Sequence, residues 1–143
     1  MMTDTQSAKL VKLADTEMTV RDREEDIRGR HVVDPAGQDI GTVDALLVDE
    51  TESKVRFLQV ASGGFLGIGQ EMVLIPVDAI TRIDDDHVHI DQTRERVAEA
   101  PAYDPTLAVD KTYYGGLYGY YGYTPFWGAG YAYPAFPHYP RYR

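Results

Sequence analysis

The sequence predicts an all-β protein, a small six-stranded barrel, and three observations lead to this prediction. The chain has 143 residues, which is the usual size of one domain. Runs rich in β-branched and aromatic residues recur at spacings of roughly 8–12 residues, with turn-forming residues between them. All 23 Asp and Glu residues lie before residue 111, whereas ten of the 11 tyrosines lie beyond it. We therefore expect an N-terminal arm over residues 1–25, a barrel domain over residues 26–100 and a tail over residues 101–143.

The first elements are the arm and a tight turn. The apolar patch of the arm consists of Leu10, Val11 and Leu13, then Met18 and Val20, and a charge cluster follows, so we expect a short strand or an arm lying on the domain. Residues 31–33 predict the first strand of the barrel. Residues 34–37 predict a turn, because Pro35 occupies its second position and Gly37 its fourth.

Five further strands follow, and alternation of apolar residues predicts their faces. In the second strand, alternation predicts that Val43, Ala45 and Leu47 share one side. In the last strand it predicts that Val88 and Ile90 point inward, with the intervening histidines outward. The predicted strands are residues 40–49, 55–61, 72–77, 80–83 and 87–90.

One helix and a tail complete the prediction. Residues 92–100 form the helix, with Thr93 as a candidate N-cap and Pro101 at its end. The tail is rich in Tyr, Gly and Pro and shows no periodicity that would build a core. We expect a disordered tail that is partly folded back over the barrel.

Two strands offer apolar side chains on both faces. Residues 72–77 are almost wholly apolar, and residues 55–60 place Phe57 on one face and Leu58 and Val60 on the other. A small barrel buries only one face of each strand. The arm, the tail or another subunit must cover the second face. We expect a homodimer, because an uncovered apolar patch on a soluble chain usually marks an interface.

Catalytic and metal chemistry have little support in the sequence. The chain has no cysteine, which excludes disulfides and thiolate sites, and none of its serines lies in a Gly-x-Ser-x-Gly elbow. His87 and His89 share a strand face beside residues 84–86 and could chelate Zn²⁺ or Ni²⁺ if a third ligand converged. A solvated strand edge explains the same pattern more simply. We expect no catalytic residue, no metal and no cofactor.

The glycine-rich residues 63–69 have the composition of a phosphate-binding loop but not its sequence. Such a loop needs Gly-Lys-Ser/Thr opening a helix, and here Gly69 is followed by Gln70 and a strand. Phe65 and Leu66 favour a structural loop that folds an apolar plug over the barrel.

Charge and hydropathy limit the classes of partner that the chain is expected to bind. A net charge of −9 argues against nucleic-acid binding, and the tail has only three cations to attract phosphates. Residues 112–140 have no charged side chain, but their prolines and glycines argue against a transmembrane helix. Their tyrosines and Trp127 suit peripheral contact with a membrane surface. No secretory signal is recognisable, so we expect a cytoplasmic protein, or one peripheral at the membrane.

An ordered series of motifs between residues 26 and 91 resembles a known family, the PRC-barrel domain. This is the barrel of the photosynthetic reaction centre H subunit and of a ribosome maturation factor, and the likeness is greatest to small stand-alone bacterial members. The motifs are Asp26-Ile27-Arg28-Gly29-Arg30, Val32-Val33-Asp34, Gly37, Ile40-Gly41-Thr42-Val43, Leu47-Val48-Asp49, Val55-Arg56-Phe57-Leu58, Gly64-Phe65-Leu66-Gly67, Leu74-Ile75-Pro76-Val77-Asp78-Ala79-Ile80 and His87-Val88.

The resemblance implies a protein-interaction adaptor and carries no catalytic residues. Two alternatives remain open: a membrane-surface adaptor associated with photosynthetic electron-transport complexes, and an RNA- or ribosome-linked assembly factor. The partner itself is not predicted. We expect structural or interaction roles for Gly29, Gly37, Gly41, Asp49, Phe57, Leu58, Gly64, Phe65, Leu66, Gly67, Met72, Leu74 and Pro76.

Overall fold

A computed structural model describes residues 10–12, 26–49, 52, 54–62, 71–103 and 111–134. Strands dominate it, and the predicted all-β, barrel-like fold is confirmed. All six strands predicted between residues 26 and 100 are present. The elements are β1 (Val11–Lys12), β2 (His31–Val33), β3 (Asp39–Asp49), β4 (Lys54–Ser62), β5 (Glu71–Pro76), a 3-10 turn (Val77–Ala79), β6 (Ile80–Ile83), β7 (His87–Ile90), α1 (Arg94–Ala98) and α2 (Lys111–Tyr121).

The strands form one sheet in the order β5-β4-β3-β2-β7-β6. Strand β2 pairs with β7 in parallel, and the other pairs are antiparallel. Strand β1 of the arm pairs with the end of β3, opposite Val48 and Leu47. The end strands β5 and β6 are joined by the 3-10 turn, so the chain itself bridges the gap between the two ends of the sheet.

The inner face of the sheet holds an aliphatic core. Leu58 and Val60 of β4 belong to it, as do Val88 and Ile90 of β7. Each of these four side chains is at most 2% exposed. The alternation predicted for β4 and β7 is therefore confirmed, and it leaves His87 and His89 on the outward face.

The prediction that Val43, Ala45 and Leu47 share one side of β3 is wrong. The pairing of β3 with β4 shifts register between Val43 and Ala45, which is the signature of a bulge at Asp44. An extra residue on one strand reverses the alternation beyond it. Val43 consequently joins the inner core, whereas Leu47 lies in a separate cluster on the outer face.

Two glycines have positions that other residues cannot readily take. Gly37 has a φ of 82°, and its N–H donates to the Asp34 carbonyl at 2.9 Å, which confirms the predicted turn. Gly41 lies where β3 passes close to β4. A Cβ atom at this position would lie 2.2 Å from the carbonyl oxygen of Ala61.

The Asp34 side chain fastens this turn to α1. Its carboxylate accepts from the backbone N–H groups of Ala36, Gln38 and Arg94 at 2.9–3.0 Å. Burial opposes ionisation, but these three hydrogen bonds outweigh it and hold the pKa of Asp34 below its ordinary value. Helix α1 begins as predicted, with the Thr93 hydroxyl accepting from the Arg96 N–H at 3.1 Å.

The predicted disorder of the tail is wrong for residues 111–134. Helix α2 buries Tyr114, Leu117, Tyr118 and Tyr121, which are spaced i, i+3, i+4 and i+7 as on one helix face. Gly122 follows with a φ of 89°, and the next N–H, that of Tyr123, donates to the Tyr118 carbonyl at 2.9 Å. This is a Schellman ending, so burial and capping offset the low helix propensity of three glycines.

Some predictions fall outside the described residues. These are the glycine-loop residues Gly64, Phe65, Leu66 and Gly67, together with residues 1–9 and 13–25 of the arm. Among the residues that the structure does describe, no helix has the length and apolar character needed to cross a membrane.

Candidate interaction face

Strands β3, β4 and β5 each contribute one large apolar side chain to the outer face of the sheet. These are Leu47, Phe57 and Leu74, and none is more than 1% exposed. Leu47 and Phe57 are paired across β3 and β4. The outer face is therefore a continuous apolar surface, as the two-faced strands predicted, and another part of the chain covers it.

Helix α2 is the main cover. Its Tyr118 and Tyr114 rings pack on Phe57, with ring centroids 5.0 and 5.5 Å away. The arm contributes Leu10, which is buried in the same cluster, and the Leu10 backbone hydrogen-bonds to Tyr114. Of the three covers that the sequence left open, the arm and the tail are both in place.

The segment after α2 adds a second aromatic layer. Phe126 and Trp127 meet Tyr118 edge-on, with centroid distances of 6.4 and 6.0 Å. The Lys111 ammonium lies 5.5 Å from the Trp127 ring centroid. Edge-on aromatic pairs such as those of Tyr118 contribute about 0.5–1.5 kcal/mol each in addition to the free energy gained from burying their apolar area. The tail is thus fixed by several rings rather than by a single anchor.

A buried cation lies beneath this layer. Arg56 of β4 is 2% exposed, and its Nη2 lies 3.2 Å from Asp49 Oδ2 and also contacts Glu52. Its guanidinium carbon is 4.2 Å from the Phe126 ring centroid and 5.4 Å from that of Tyr133. The carboxylates neutralise the guanidinium, and the rings of the tail exclude water from it.

Tyr133 closes the edge of the cover. Its hydroxyl donates to the Val55 carbonyl at 3.0 Å, and Lys54 Nζ lies 5.1 Å from its ring centroid. Burial raises the pKa of Tyr133 to about 12. Burial also raises the pKa of Tyr118 far above its ordinary value. Tyr118 and Tyr133 are therefore neutral at physiological pH.

The tail also contacts the inner core and α1. Tyr121 reaches the inner core and is 4% exposed. The Gln92 side-chain amide donates to the Tyr121 carbonyl at 3.2 Å and to the Tyr123 hydroxyl at 2.9 Å. Tyr120 and Arg96 exchange hydrogen bonds through their side chains and backbone carbonyls. Helix α2 therefore contacts both cores and α1.

The residues selected from the sequence do not form one site. Phe57, Leu74 and Asp49 belong to the outer face, whereas Leu58 is in the inner core. The Met72 carbonyl accepts from the Tyr103 N–H at 2.7 Å. The other described members are Gly29 in the turn before β2, Gly37 in the turn before β3, Gly41 in β3 and Pro76 at the end of β5.

Sequence reasoning missed three residues of the outer face. Tyr114 and Tyr118 were assigned to a disordered tail, and Arg56 received no role. The helical spacing of residues 114, 117, 118 and 121 was the available signal for the tyrosines. No pattern in the sequence indicates that Arg56 is buried, because Phe126 and Tyr133 lie about 70 residues further along the chain.

Comparison with known families agrees with the topology. Residues 21–97 match the PRC-barrel domain, which is more than half of the chain. The chain belongs to the PRC-barrel family. No curated protein matches it. Helix α2 and the segment after it lie beyond the matched residues, so in this PRC-barrel chain the outer face is covered by residues that the family match does not include.

Proposed function

We propose that this PRC-barrel chain is a non-catalytic adaptor, cytoplasmic or peripheral at a membrane, that binds a protein partner through its tail. The interaction surface consists of the part-exposed rings of Tyr113, Phe126, Trp127 and Tyr133, which we call the aromatic platform. One observation carries the proposal: buried contacts hold these rings in place while each keeps a partly exposed side.

Aromatic rings fixed in this way are suited to protein binding. Tyr, Trp and Phe are enriched at protein interfaces and supply much of the binding free energy. Phe126 and Trp127 pack on buried Tyr118, and Tyr133 is held by its hydrogen bond to Val55. Because these rings are already ordered, binding costs little side-chain entropy.

Charge favours an acidic partner surface. Lys54 and Lys111 lie against rings of the platform, and residues 111–143 contain no Asp or Glu. The rest of the chain carries all 23 carboxylates. A partner that places carboxylates beside the platform would meet the two lysines there and would be repelled elsewhere on the domain.

The structure changes the argument for a homodimer. Self-association was expected because the barrel leaves one apolar face without a cover. The arm and α2 cover that face, and Leu47, Phe57 and Leu74 are at most 1% exposed. Homodimerisation of the whole chain remains a prediction, but its original reason now applies to a chain without the tail.

A membrane-surface adaptor is the second candidate, and the composition of the platform favours it. Tyrosine, tryptophan and lysine are typical of the membrane–water interface. Association with electron-transport complexes and an RNA- or ribosome-linked role remain alternatives that no contact in the described residues singles out.

Photocrosslinking in cells tests the adaptor. A benzophenone amino acid replaces exposed Ala129, beside the platform, or exposed Asp85, in the β6–β7 turn. We expect a discrete protein adduct from position 129 and none from position 85. Trp127→Ala should abolish the adduct, whereas Thr112→Ala, at an exposed position of α2, should leave it unchanged.

Four further outcomes count against the adaptor. Equal adducts from both positions, or persistence of the adduct with Trp127→Ala, would place the contact elsewhere. Flotation of the purified chain with anionic lipid vesicles, lost with Trp127→Ala, would replace the protein partner with a membrane surface. Salt-dependent retention on RNA would favour the RNA-linked alternative.

A further inference from the structure

Strand β7 presents two histidines beside an aspartate, away from the aromatic platform. His87 and His89 lie on the outward face of β7, and buried Val88 and Ile90 between and beyond them fix the strand. Asp84 lies in the preceding turn. Its Oδ1 is 3.2 Å from His87 Nδ1, and its Oδ2 is 2.9 Å from His89 Nε2. One atom from each residue can be chosen so that all three lie within 4.8 Å of one another.

The turn itself positions the aspartate. Asp84 Oδ1 accepts from the backbone N–H groups of Asp86 at 3.0 Å and of His87 at 2.7 Å. The orientation of the carboxylate therefore does not depend on the histidines alone.

We propose that Asp84, His87 and His89 bind a divalent transition-metal cation of the zinc class. Imidazole nitrogens and a carboxylate oxygen form an ordinary donor set for such ions. With metal–ligand bonds of about 2.0–2.1 Å, two ligands of a tetrahedral ion lie about 3.3 Å apart. Each Asp84 oxygen has nearly this spacing to one histidine, Oδ1 to His87 and Oδ2 to His89, and one ligand atom from each of the three residues lies within 4.8 Å of the others.

The site has an approach from solvent. An open depression of about 820 Å³ runs beside it, lined by His89, Thr81, Arg82 and Asp91 among others. Three protein ligands leave at least one coordination position for water or another small ligand. The chemistry fits a surface ion that holds the β6–β7 turn or bridges to another molecule.

Arg82 is a competitor within the protein. Its Nη2 lies 2.7 Å from His89 Nε2 and 3.8 Å from Asp84 Oδ2. One ring nitrogen cannot both accept from the guanidinium and donate to the carboxylate. The cationic guanidinium therefore lies beside two of the ligand atoms and must move away before an ion binds. Its side chain is 32% exposed, which leaves room for that movement.

Titration calorimetry of the whole chain with Zn²⁺ tests the site. We expect one ion per chain. His87→Ala and His89→Ala should each weaken binding at least about tenfold, because removal even of outer-sphere partners costs about 10–100-fold in other metal sites. Asp84→Asn should weaken it too, while its side-chain oxygen can still accept the hydrogen bonds of the turn.

The matched control keeps only the histidines of the site. His31 is paired with His87 across β2 and β7, and its Nδ1 lies 3.1 Å from Asp39 Oδ2, so it is a second exposed His–Asp pair. His31→Ala combined with His138→Ala should bind Zn²⁺ as the parent does. Circular dichroism of each variant verifies that the domain remains folded.

Arg82→Met gives the most selective result. Removal of the competing cation should tighten Zn²⁺ binding, an effect that nonspecific binding to surface histidines would not show. Three results would overturn the proposal: no binding by the parent, an equal loss in the His31/His138 control, or weaker binding by folded Arg82→Met.

Discussion

The two faces of the sheet pack against different kinds of side chain, mainly aliphatic on the inner face and aromatic on the outer face. The inner core consists mainly of Val, Ile and Leu from strands that follow one another in the sequence. The outer cluster joins Leu47, Phe57 and Leu74 to the aromatic rings of α2 and the segment after it, which begin about 40 residues beyond Leu74. The inner core follows from local alternation within each strand. The outer cluster exists only when two distant segments meet, so it can be perturbed separately.

Loss of the tail should have the largest effect on this comparison. Truncation after Tyr103 would expose Leu47, Phe57 and Leu74, whereas the inner core would lose only Tyr121 from its buried members. We expect retained strand signal in circular dichroism, but a free energy of unfolding lower by more than about 4 kcal/mol. The exposed face should also cause self-association in light scattering.

A truncated chain that stays monomeric at tens of micromolar, with its stability unchanged, would show that the outer cluster contributes nothing. An unfolded truncated chain would show that the two clusters form a single core. Either result would contradict the interpretation that the inner core and the outer cluster contribute separately to the stability of the chain.

Substitutions of two adjacent residues that lie on opposite faces of β4 test the two clusters separately in the whole chain. Phe57→Ala and Leu58→Ala should each lower the free energy of unfolding by about 3–5 and 2–5 kcal/mol, respectively, because both side chains are fully buried. They should differ in the folded state. Phe57→Ala should shift the fluorescence of Trp127, the only tryptophan, whereas Leu58→Ala should not. Identical spectra for the two folded variants would contradict the separation.

Extremes of pH should act on different parts of the molecule. Burial raises the pKa of Tyr114, Tyr118 and Tyr121 above the ordinary value of 10.0, so these rings stabilise the folded chain below that pH. That contribution is lost as the pH rises through their folded values. We expect the Trp127 fluorescence to change together with tyrosinate absorbance above about pH 10.

Acidic pH should reduce the stability of the barrel rather than that of the tail. The pKa of Asp34 is lowered on folding, so its contribution is complete above the ordinary value of 3.8 and is lost as the pH falls below it. Asp34→Asn should flatten the acid dependence of stability and leave the alkaline transition unchanged. A change in the alkaline transition would mean that the turn and the tail are coupled.

The smallest expected effects on stability concern two tyrosine hydroxyls of the outer cluster. The Tyr118 hydroxyl is buried without a hydrogen-bond partner in the described part of the chain, whereas Tyr114 bonds to the Leu10 backbone. Tyr118→Phe should therefore leave the free energy of unfolding unchanged or raise it by up to about 1 kcal/mol. Tyr114→Phe should lower it by about 1 kcal/mol, as chemical denaturation can measure. If Tyr118→Phe lowered the free energy of unfolding more than Tyr114→Phe did, the hydrogen bonding of the two hydroxyls would not explain their contributions to stability.

Most of the barrel could be predicted from the sequence, because alternation and turn residues are local signals. The turn at Asp34–Gly37 and the faces of β4 and β7 required nothing beyond neighbouring residues. The bulge at Asp44 could not be predicted in this way, since it depends on how β3 pairs with β4. It reversed the expected faces of Val43 and Leu47.

The candidate sites were less predictable, for related reasons. Helix α2 carried a helical spacing of apolar residues, but Gly115, Gly116 and Gly119 weakened that signal until burial against the sheet was known. The histidines on β7 were visible as an i, i+2 pair. The convergence of Asp84 on both of them depends on the geometry of the turn.

The placement of Arg56 has a consequence for synthesis. The chain is made from its N-terminus, so the barrel strands are complete about two to nine seconds before Tyr133 is added, at about 5–20 residues per second. During that interval Phe57 and Leu74 face solvent without their cover. A charged residue within an apolar strand face discourages pairing with other nascent chains. We therefore expect Arg56, with Asp49 and Glu52 at its side, to oppose aggregation until the tail buries it.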